Sequence, residues 1–277
     1  MIASIVIQLR ALRPGILLNG NGVAAHGAWF KHWNAASSEV GDAVHDGSGV
    51  RPFTLSPLMG LPAAGREGII HFPVGQISWL RITTLQDELT ERLLDPESGW
   101  LAEVTDAPCL EVNDTFWQVI GVATRADEHP YARRTSYLEL RDMVSRQLPP
   151  PTRWRLTFDT PMTLNGDHFP FPFPQPESLV KSWLTRWNAF APFDLPSGLS
   201  AQARQHLSIE EYTLKTTRLR GRGETTTGCS GTITYQAHGM SAEERLSLAL
   251  LFEYSFFCGS GYKTTQGLGQ TRLVWKA

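Results

Sequence analysis

The chain has 277 residues, enough for one large or two modest domains at about 150 residues per domain. Hydrophobic residues make up 42% of the sequence and charged residues 19%, a composition that supports a packed core and excludes an intrinsically disordered chain. No apolar run approaches the ~20 residues that a membrane-spanning helix needs. The N-terminus alternates like a strand and lacks the basic start and cleavage site of a signal peptide, so we expect a cytoplasmic protein.

The net charge of −2 hides an uneven distribution of charged residues. Residues 1–149 contain 12 basic and 17 acidic side chains, whereas residues 150–277 contain 13 basic and 10 acidic ones. Phosphate binding depends on a local basic patch rather than on the total charge. The composition therefore permits a nucleic-acid partner without indicating one.

The three cysteines, Cys109, Cys229 and Cys258, are odd in number and far apart in the sequence. They form no Cys-x-x-Cys pair of the kind that binds zinc. We expect ordinary reduced thiols, most of them buried, rather than a disulfide framework.

The first half of the chain has the pattern of strand, helix, two strands, helix and strand. Apolar and polar residues alternate over residues 3–11, which predicts a strand. Residues 22–33 form a short apolar helix after a Gly-Asn-Gly turn, and residues 85–94 form an amphipathic helix that ends before Asp95-Pro96. Further strands are predicted at residues 51–58, 76–84 and 116–124.

The second half repeats this order. Residues 153–159 alternate with period two, and residues 176–190 form a helix with one apolar stripe. The next helix opens with a capping box at Ser241, is almost entirely apolar to Cys258, and ends at Gly259. The remaining strands are predicted at residues 211–220, 231–237 and 271–275.

Two consecutive βαββαβ units predict an α+β protein with tandem ferredoxin-like (RRM-like) domains. Three prolines at 149–151 interrupt the chain, so we place the domain boundary between residues 148 and 149. The domains are then residues 1–148 and 149–277. A second proline-rich stretch, residues 169–176, suits either a ligand for a proline-binding domain or an ordinary buried loop, and we favour the loop.

Residues 259–269 form a glycine-rich segment, Gly-Ser-Gly-Tyr-Lys-Thr-Thr-Gln-Gly-Leu-Gly, between a buried helix and the last strand. Glycines around a polar insert that contains a lysine can present backbone N–H groups to phosphate. A nucleotide-binding P-loop is excluded, since Tyr262 separates Gly261 from Lys263 and the flanking elements are in the reverse order. A connection that serves only chain geometry remains an alternative.

The sequence resembles the CRISPR precursor-RNA processing endoribonucleases of the RAMP superfamily. Gly259, Gly261, Gly267 and Gly269 satisfy the G-x-G-x5-G-x-G form of that family's C-terminal loop. The resemblance extends to residues 22–30, to His45-Asp46 and to residues 51–57. It implies tandem ferredoxin-like domains, repeat RNA as the substrate and a role in antiviral defence. Since non-cleaving RAMP subunits carry similar loops, the loop by itself does not imply catalysis.

Two of the eight histidines, His26 and His45, are the catalytic candidates that the resemblance implies. His45 is the leading general acid or base, and His26 is its partner or orients the phosphate. Residue 26 lies in the first turns of a predicted helix, where N–H groups attract anions, and residue 45 lies in a polar turn. No histidine pair has the i, i+4 spacing of a helical zinc site, so we predict no metal and no other cofactor.

The implied reaction is metal-independent RNA cleavage. One imidazole takes the proton of a ribose 2′-hydroxyl, and the other imidazole protonates the departing 5′-oxygen. The products are a 2′,3′-cyclic phosphate and a 5′-hydroxyl. An imidazole suits this task because its ordinary pKa of ~6.5 makes both protonation states available near neutrality. DNA lacks the 2′-hydroxyl, so we expect it to bind poorly and not to be cut.

RNA-binding residues are expected in two segments. The resemblance implies RNA binding by the glycine-rich segment, that is by Gly259, Gly261, Tyr262, Lys263, Thr264, Thr265, Gln266, Gly267 and Gly269. Lys215, Arg218, Arg220 and Arg222 lie in an eight-residue stretch without an acid, where the three arginines share one parity and face one side of an extended strand. Charges that merely protect an edge strand are the alternative there.

The expected partner is CRISPR repeat RNA, and neither an effector complex nor a homodimer is decided by the sequence. The competing functions are a non-catalytic RAMP subunit that binds RNA in an effector complex, and a ferredoxin-like protein unrelated to RNA.

Overall fold

A computed structural model of the chain describes residues 1–36, 49–95, 109–166, 169–221 and 225–277. The described residues form two compact units. The first consists of Met1–Arg134, Arg218–Thr226 and Thr265–Gly267, and the second of Thr135–Thr217, Thr227–Thr264 and Leu268–Ala277. The domain boundary between residues 148 and 149 stays a prediction.

The first unit contains a ferredoxin-like sheet. Its elements are β1 (Ile2–Ala11), β2 (Gly15–Leu18), α1 (Gly22–Ala36), β3 (Phe53–Leu55), β4 (Ile69–Phe72), β5 (Ile77–Thr84), α2 (Asp87–Leu94), β6 (Leu110–Val112), β7 (Thr115–Ala123) and β8 (Arg133–Thr135). The antiparallel order β3–β5–β1–β7, with helices after β1 and β5, is that of one βαββαβ unit. Strand β6 extends this sheet beside β7, β8 pairs with β1, and β2 pairs with β4 in a separate hairpin.

The two helices described in the first unit, α1 and α2, pack on one face of its sheet. Ala25 and Trp29 of α1 and Leu89 of α2 belong to the same buried cluster as Ile5 and Ile7 of β1. The alternation of β1 directs these isoleucines to one face. His26 follows Ala25 in α1, so this packing also determines the side of the helix on which His26 lies.

The second unit contains the other ferredoxin-like sheet. Its elements are α3 (Tyr137–Ser145), β9 (Arg153–Met162), β10 (Leu164–Asn165), β11 (Pro170–Phe171), α4 (Pro176–Phe190), α5 (Leu199–His206), β12 (Leu207–Arg220), β13 (Thr225–Ala237), α6 (Ala242–Cys258) and β14 (Thr271–Lys276). The sheet order β12–β13–β9–β14 again follows the ferredoxin-like arrangement, which confirms the predicted tandem fold. The far end of the β12–β13 hairpin, Arg218–Thr226, belongs to the first unit.

The core of the second unit is rich in aromatic side chains. Strand β9 alternates buried and half-buried residues along its whole length, as its period-two pattern predicts. Trp154 of β9 stacks on Phe252 of α6 with ring centroids 4.9 Å apart and planes 3° from parallel. Trp183 and Trp187 of α4 are also completely buried, and Trp183 packs on Phe252 with ring centroids 5.2 Å apart.

The proline-rich stretch at residues 169–176 differs from the buried loop that we favoured. Phe169 is 81% exposed and Phe171 is 40% exposed, and residues 170–171 form β11 in a short hairpin with β10. Alternating prolines remove backbone donors, which limits the pairing of this segment to two residues on each side.

The cysteines are free, with Cys229 and Cys258 buried and Cys109 half-buried. Burial raises the pKa of the Cys229 thiol to about 11, so it is protonated at neutral pH. In the described part of the chain no helix is long and apolar enough to cross a membrane.

Candidate functional site

His26 lies on α1 of the first unit and contacts the glycine-rich segment. Its Nδ1 lies 2.9 Å from the carbonyl oxygen of Thr265, which is 239 positions away in the sequence. The half-buried ring packs on Phe30 at a centroid distance of 4.7 Å and stacks on Phe53 at 6.2 Å. The structure thus brings one predicted catalytic histidine together with the predicted loop.

Two glycines make this close approach of helix and loop feasible. A Cβ on Gly22 would lie 2.1 Å from the carbonyl oxygen of Gln266, and a Cβ on Gly267 would lie 2.9 Å from the Cα of Gly22. Gly267 also has a φ of +93°, which side-chain-bearing residues rarely adopt. The loop backbone therefore lies directly against the first turn of α1.

The start of α1 is also fixed from within the first unit. Asn21 is buried, and its carbonyl accepts the first helical hydrogen bond from the N–H of Ala25 at 2.9 Å. Its side-chain Oδ1 accepts a hydrogen bond from the N–H of Leu58 at 2.8 Å. These contacts and the loop hold the start of α1 from two sides, while Val23 in the same turn is 45% exposed.

The rest of the glycine-rich segment is anchored in the second unit. The Nε1–H of Trp183 donates to Ser260 Oγ at 3.0 Å. The guanidinium of Arg186 donates to the carbonyl of Gly261 at 2.8 Å and to Thr264 Oγ1 at 3.3 Å. No motif in the sequence predicts these bonds, which hold residues 260–264 against α4.

Only part of the predicted RNA-binding loop reaches the surface. Tyr262 is 42% exposed, and Lys263 is half-buried with its Nζ 5.6 Å from the Tyr262 ring. Thr265 and Gln266 are half-buried. The buried members of the predicted set are Gly259, Gly261, Thr264, Gly267 and Gly269. The four glycines among them have positive φ values, a backbone conformation that side-chain-bearing residues rarely adopt.

The end of the basic hairpin lies in the first unit, where Asn19 holds its backbone. Asn19 Nδ2 donates to the carbonyl of Arg218 at 3.0 Å, and Asn19 Oδ1 accepts from the N–H of Arg220 at 2.8 Å. The N–H of Gly20 donates to the carbonyl of Arg220 at 3.1 Å. Both arginine side chains remain exposed.

Arg218 and Arg220 line an open cavity of about 510 Å³ in the first unit together with Glu67. Of the described residues that line this cavity, two carry a guanidinium group and one a carboxylate, which is an excess of positive charge. Lys215 is exposed farther along β12, in the second unit. The cavity provides charged donors that suit phosphate oxygens.

Two predicted site residues, His45 and Arg222, lie outside the described residues. Asp46, which follows His45, lies outside them as well. Their proposed roles stay predictions. Within the ranges that the structure covers, no three His, Cys, Asp or Glu side chains are grouped closely enough to hold a metal ion.

Another histidine of the first unit, His129, has a perturbed pKa for a structural reason. Burial lowers the pKa of its imidazole, and the nearby Arg81 guanidinium lowers it further. The ring packs on Trp79 and Tyr131, and its Nδ1 accepts a hydrogen bond from the N–H of Tyr131 at 3.2 Å. These contacts identify His129 as part of a small aromatic cluster.

Comparison with known proteins finds one sequence profile and several solved structures to which this chain is similar. Residues 156–271 match the sequence profile of the CRISPR-associated endoribonuclease Cas6 family. A product complex of a Thermus thermophilus Cas6 (TTHB231) is 26% identical, with a TM-score of 0.80 over 99% of this chain and 100% of that chain. A product complex of another Cas6 (TTHA0078) is 25% identical, with a TM-score of 0.75 over 99% of both chains.

A Cas6-related protein from Pyrococcus furiosus is 17% identical and shares the fold, with a TM-score of 0.63 over 99% of both chains. No curated protein matches the sequence. The profile match covers the glycine-rich segment, and the structural matches cover almost the whole chain. Together they confirm the resemblance to the CRISPR RNA-processing endoribonucleases.

Proposed function

We propose that this chain is a Cas6-type endoribonuclease, which cuts the repeat RNA of CRISPR precursor transcripts and releases guide RNAs. The observation that carries the proposal is the contact between His26 and Thr265. It joins a titratable side chain to the loop that is typical of the family, in a chain that resembles two Cas6 product complexes over 99% of its length. Acid–base cleavage of RNA needs one group that takes the proton of O2′ and one that protonates O5′, and an imidazole can serve as either.

The proposed reaction uses the RNA's own 2′-hydroxyl as the nucleophile. O2′ attacks the adjacent phosphorus while its proton passes to an imidazole nitrogen. The bond from phosphorus to O5′ breaks, and O5′ takes a proton from a second protonated group. The products are a 2′,3′-cyclic phosphate and a 5′-hydroxyl, and no water or metal ion is consumed. His26 and His45 are the two proposed groups, and either assignment of acid and base balances.

The proposed RNA contacts are the cations of the basic segment and the aromatic ring of Tyr262. Arg218 and Arg220, with the backbone of their strand held by Asn19, suit phosphate oxygens of a structured RNA. Lys215 and Arg222 extend the same basic segment in the sequence. Tyr262 presents an exposed ring for stacking on a base.

The test is a cleavage assay on repeat RNA in EDTA, with His26→Ala and His45→Ala beside the wild-type protein. We expect a single cut with a 2′,3′-cyclic phosphate end, and a rate lower by about 10²–10⁴ for each variant while RNA affinity persists. His71→Ala is the matched control, because His71 is an exposed histidine on β4 of the same unit. It should cut at the wild-type rate.

Other outcomes identify the competing functions. Tight RNA binding without a cut by the wild-type protein would contradict catalysis and indicate a non-catalytic RAMP subunit. Absence of RNA affinity would contradict both and indicate a ferredoxin-like protein unrelated to RNA.

A further inference from the structure

We infer that the backbone carbonyl of Thr265 fixes the tautomer of His26, so that this side chain acts on RNA through Nε2. The inference rests on the proposed function to the extent that His26 takes part in the reaction. It gives residues 265–267 of the glycine-rich segment a specific task, which is to position a catalytic imidazole. Thr265 is then a positioning residue that acts through its main chain.

The chemistry of the contact determines where the proton lies. A carbonyl oxygen carries no hydrogen and can only accept a hydrogen bond. At 2.9 Å from that oxygen, Nδ1 of His26 must be the donor. A neutral imidazole has one N–H group, so the lone pair of the neutral ring lies on Nε2. If the ring is protonated, Nδ1 keeps its bond to Thr265 and the additional proton lies on Nε2.

This arrangement works for either catalytic role of His26. As a base, the ring accepts the proton of O2′ on the Nε2 lone pair. As an acid, it gives the Nε2 proton to O5′ and returns to the same tautomer. In both cases the Thr265 carbonyl stays bonded to Nδ1–H, and it stabilises the imidazolium because it is the negative end of a peptide dipole.

The surroundings of the contact hold the carbonyl and the ring in register. Gly22 and Gly267 allow the loop backbone to contact α1 with no intervening side chain. This contact determines the distance between the Thr265 carbonyl and the helix. Phe30 and Phe53 pack on the ring and limit its rotation about χ2. A substitution that separates loop and helix should therefore release the ring without removing it.

Gly22→Ala is that substitution, since its Cβ would meet the Gln266 carbonyl oxygen at 2.1 Å. Gly27→Ala is the matched control on the same helix, because a Cβ at Gly27 meets no atom within 4 Å. A misplacement of about 1 Å in a catalytic group can lower the rate by about 10²-fold. We expect Gly22→Ala to cut about 10²-fold more slowly with nearly unchanged RNA affinity, and Gly27→Ala to cut like the wild type.

The direct measurement is ¹⁵N NMR of protein labelled in its histidine rings, which distinguishes a protonated from an unprotonated ring nitrogen. The His26 signals are assigned by their loss in His26→Ala. We expect neutral His26 to carry its proton on Nδ1 in the wild type and in Gly27→Ala. In Gly22→Ala the Nε2–H form should become populated. Because the wild-type spectrum is decisive by itself, the test does not depend on whether Gly22→Ala folds.

A proton on Nε2 of neutral His26 in the wild-type protein would overturn the inference, even if His26→Ala abolishes cleavage. Conversely, the expected tautomer together with full cleavage by His26→Ala would uphold the positioning contact and contradict the proposed catalytic role. The two failures are therefore distinguishable.

Discussion

The side-chain amide of Asn19 forms hydrogen bonds with the backbone on both sides of residue 219, in the way that a peptide group of a neighbouring strand would. Its Oδ1 accepts the N–H of Arg220 at 2.8 Å, while its Nδ2 donates to the carbonyl of Arg218 at 3.0 Å. Asn19 is itself held by its own N–H, which donates to the carbonyl of Gly68 at 2.7 Å. One short polar side chain thus holds the part of the hairpin from which two arginines project.

Asn19→Ala should weaken RNA binding more than it weakens the fold. A partly exposed hydrogen bond contributes about 0.5–1.5 kcal/mol, so the loss of two bonds should raise the Kd for repeat RNA by about tenfold if the arginines must be reordered on binding. The thermal midpoint should change by only a few degrees, on the order of the shift for 1 kcal/mol. Filter binding and thermal unfolding measure the two effects.

Two further variants sharpen this test. Asn19→Asp keeps an acceptor for the Arg220 N–H but cannot donate to the Arg218 carbonyl, so its affinity should also fall. Asn165→Ala, at an exposed asparagine of β10, should bind RNA like the wild type. Unchanged RNA affinity in both Asn19 variants would contradict a role in RNA binding for the hydrogen bonds of Asn19 to Arg218 and Arg220.

Removing the charge of Arg218 or Arg220 should change the salt dependence of RNA binding. Each phosphate contact adds about 0.7–0.9 to the slope of log K against log salt concentration. Arg218→Gln and Arg220→Gln should each lower that slope by about one contact. Binding isotherms at several salt concentrations give the slope directly.

Arg92→Gln is the control for this measurement. Arg92 is an exposed arginine on α2, and it is paired with Glu88 one turn away at 3.0 Å. Its removal should leave the slope unchanged. A slope that stays constant in all three variants would mean that the hairpin arginines do not contact phosphate.

The sequence predicted the fold better than it predicted the contacts at the site. The period-two pattern of β9 and the apolar stripe of α4 depend on local periodicity, and the structure has both elements. Helix α3 was missed although Ser136 and Glu139 form a capping box at its start. A serine followed three residues later by a glutamate is a sequence signal for a helix start, whereas the proline run just beyond the helix predicts a break in the chain.

The site itself depends on contacts between residues that are far apart in the chain. A glycine spacing predicts where a chain can turn, but it does not say which helix the loop will touch. Asn19 and Arg186 act through hydrogen bonds to backbone atoms about 200 and 75 positions away, and such bonds leave no periodic pattern. The family resemblance selected His26, whereas its Thr265 partner emerged only from the folded structure.

Acid should weaken helix α6 through its capping box. Glu244 accepts hydrogen bonds from the N–H of Ser241 at 2.8 Å and from its hydroxyl at 2.9 Å. These bonds lower the pKa of Glu244 below its usual 4.5, with the backbone bond as the largest cause. A carboxylate with a lowered pKa in the folded state stabilises the fold above its unfolded-state pKa. That stabilisation is lost as the pH falls below 4.5 towards the folded-state pKa.

The difference in free energy of unfolding between the wild-type protein and Glu244→Gln should therefore become smaller as the pH is lowered through this window. A neutral glutamine does not titrate, so its own contribution stays constant. Urea denaturation midpoints at neutral pH and at several values below 4.5 measure the difference. Glu243→Gln, at the neighbouring acid outside the capping box, is the comparison. A Glu244→Gln difference that does not change with pH would contradict the linkage.

A single 2′-deoxy nucleotide on the 5′ side of the cut should abolish cleavage and leave binding almost intact. In the proposed reaction O2′ is the nucleophile, and no side chain can replace it, because histidine only moves protons. The same RNA with a 2′-deoxy group one nucleotide farther along should be cut at the normal rate, which separates loss of the nucleophile from a change in sugar shape. Denaturing gels and filter binding on the three RNAs measure both quantities. Cleavage of the RNA that lacks the critical 2′-hydroxyl would require water as the nucleophile, and it would rule out the cyclic phosphate pathway for His26 and His45.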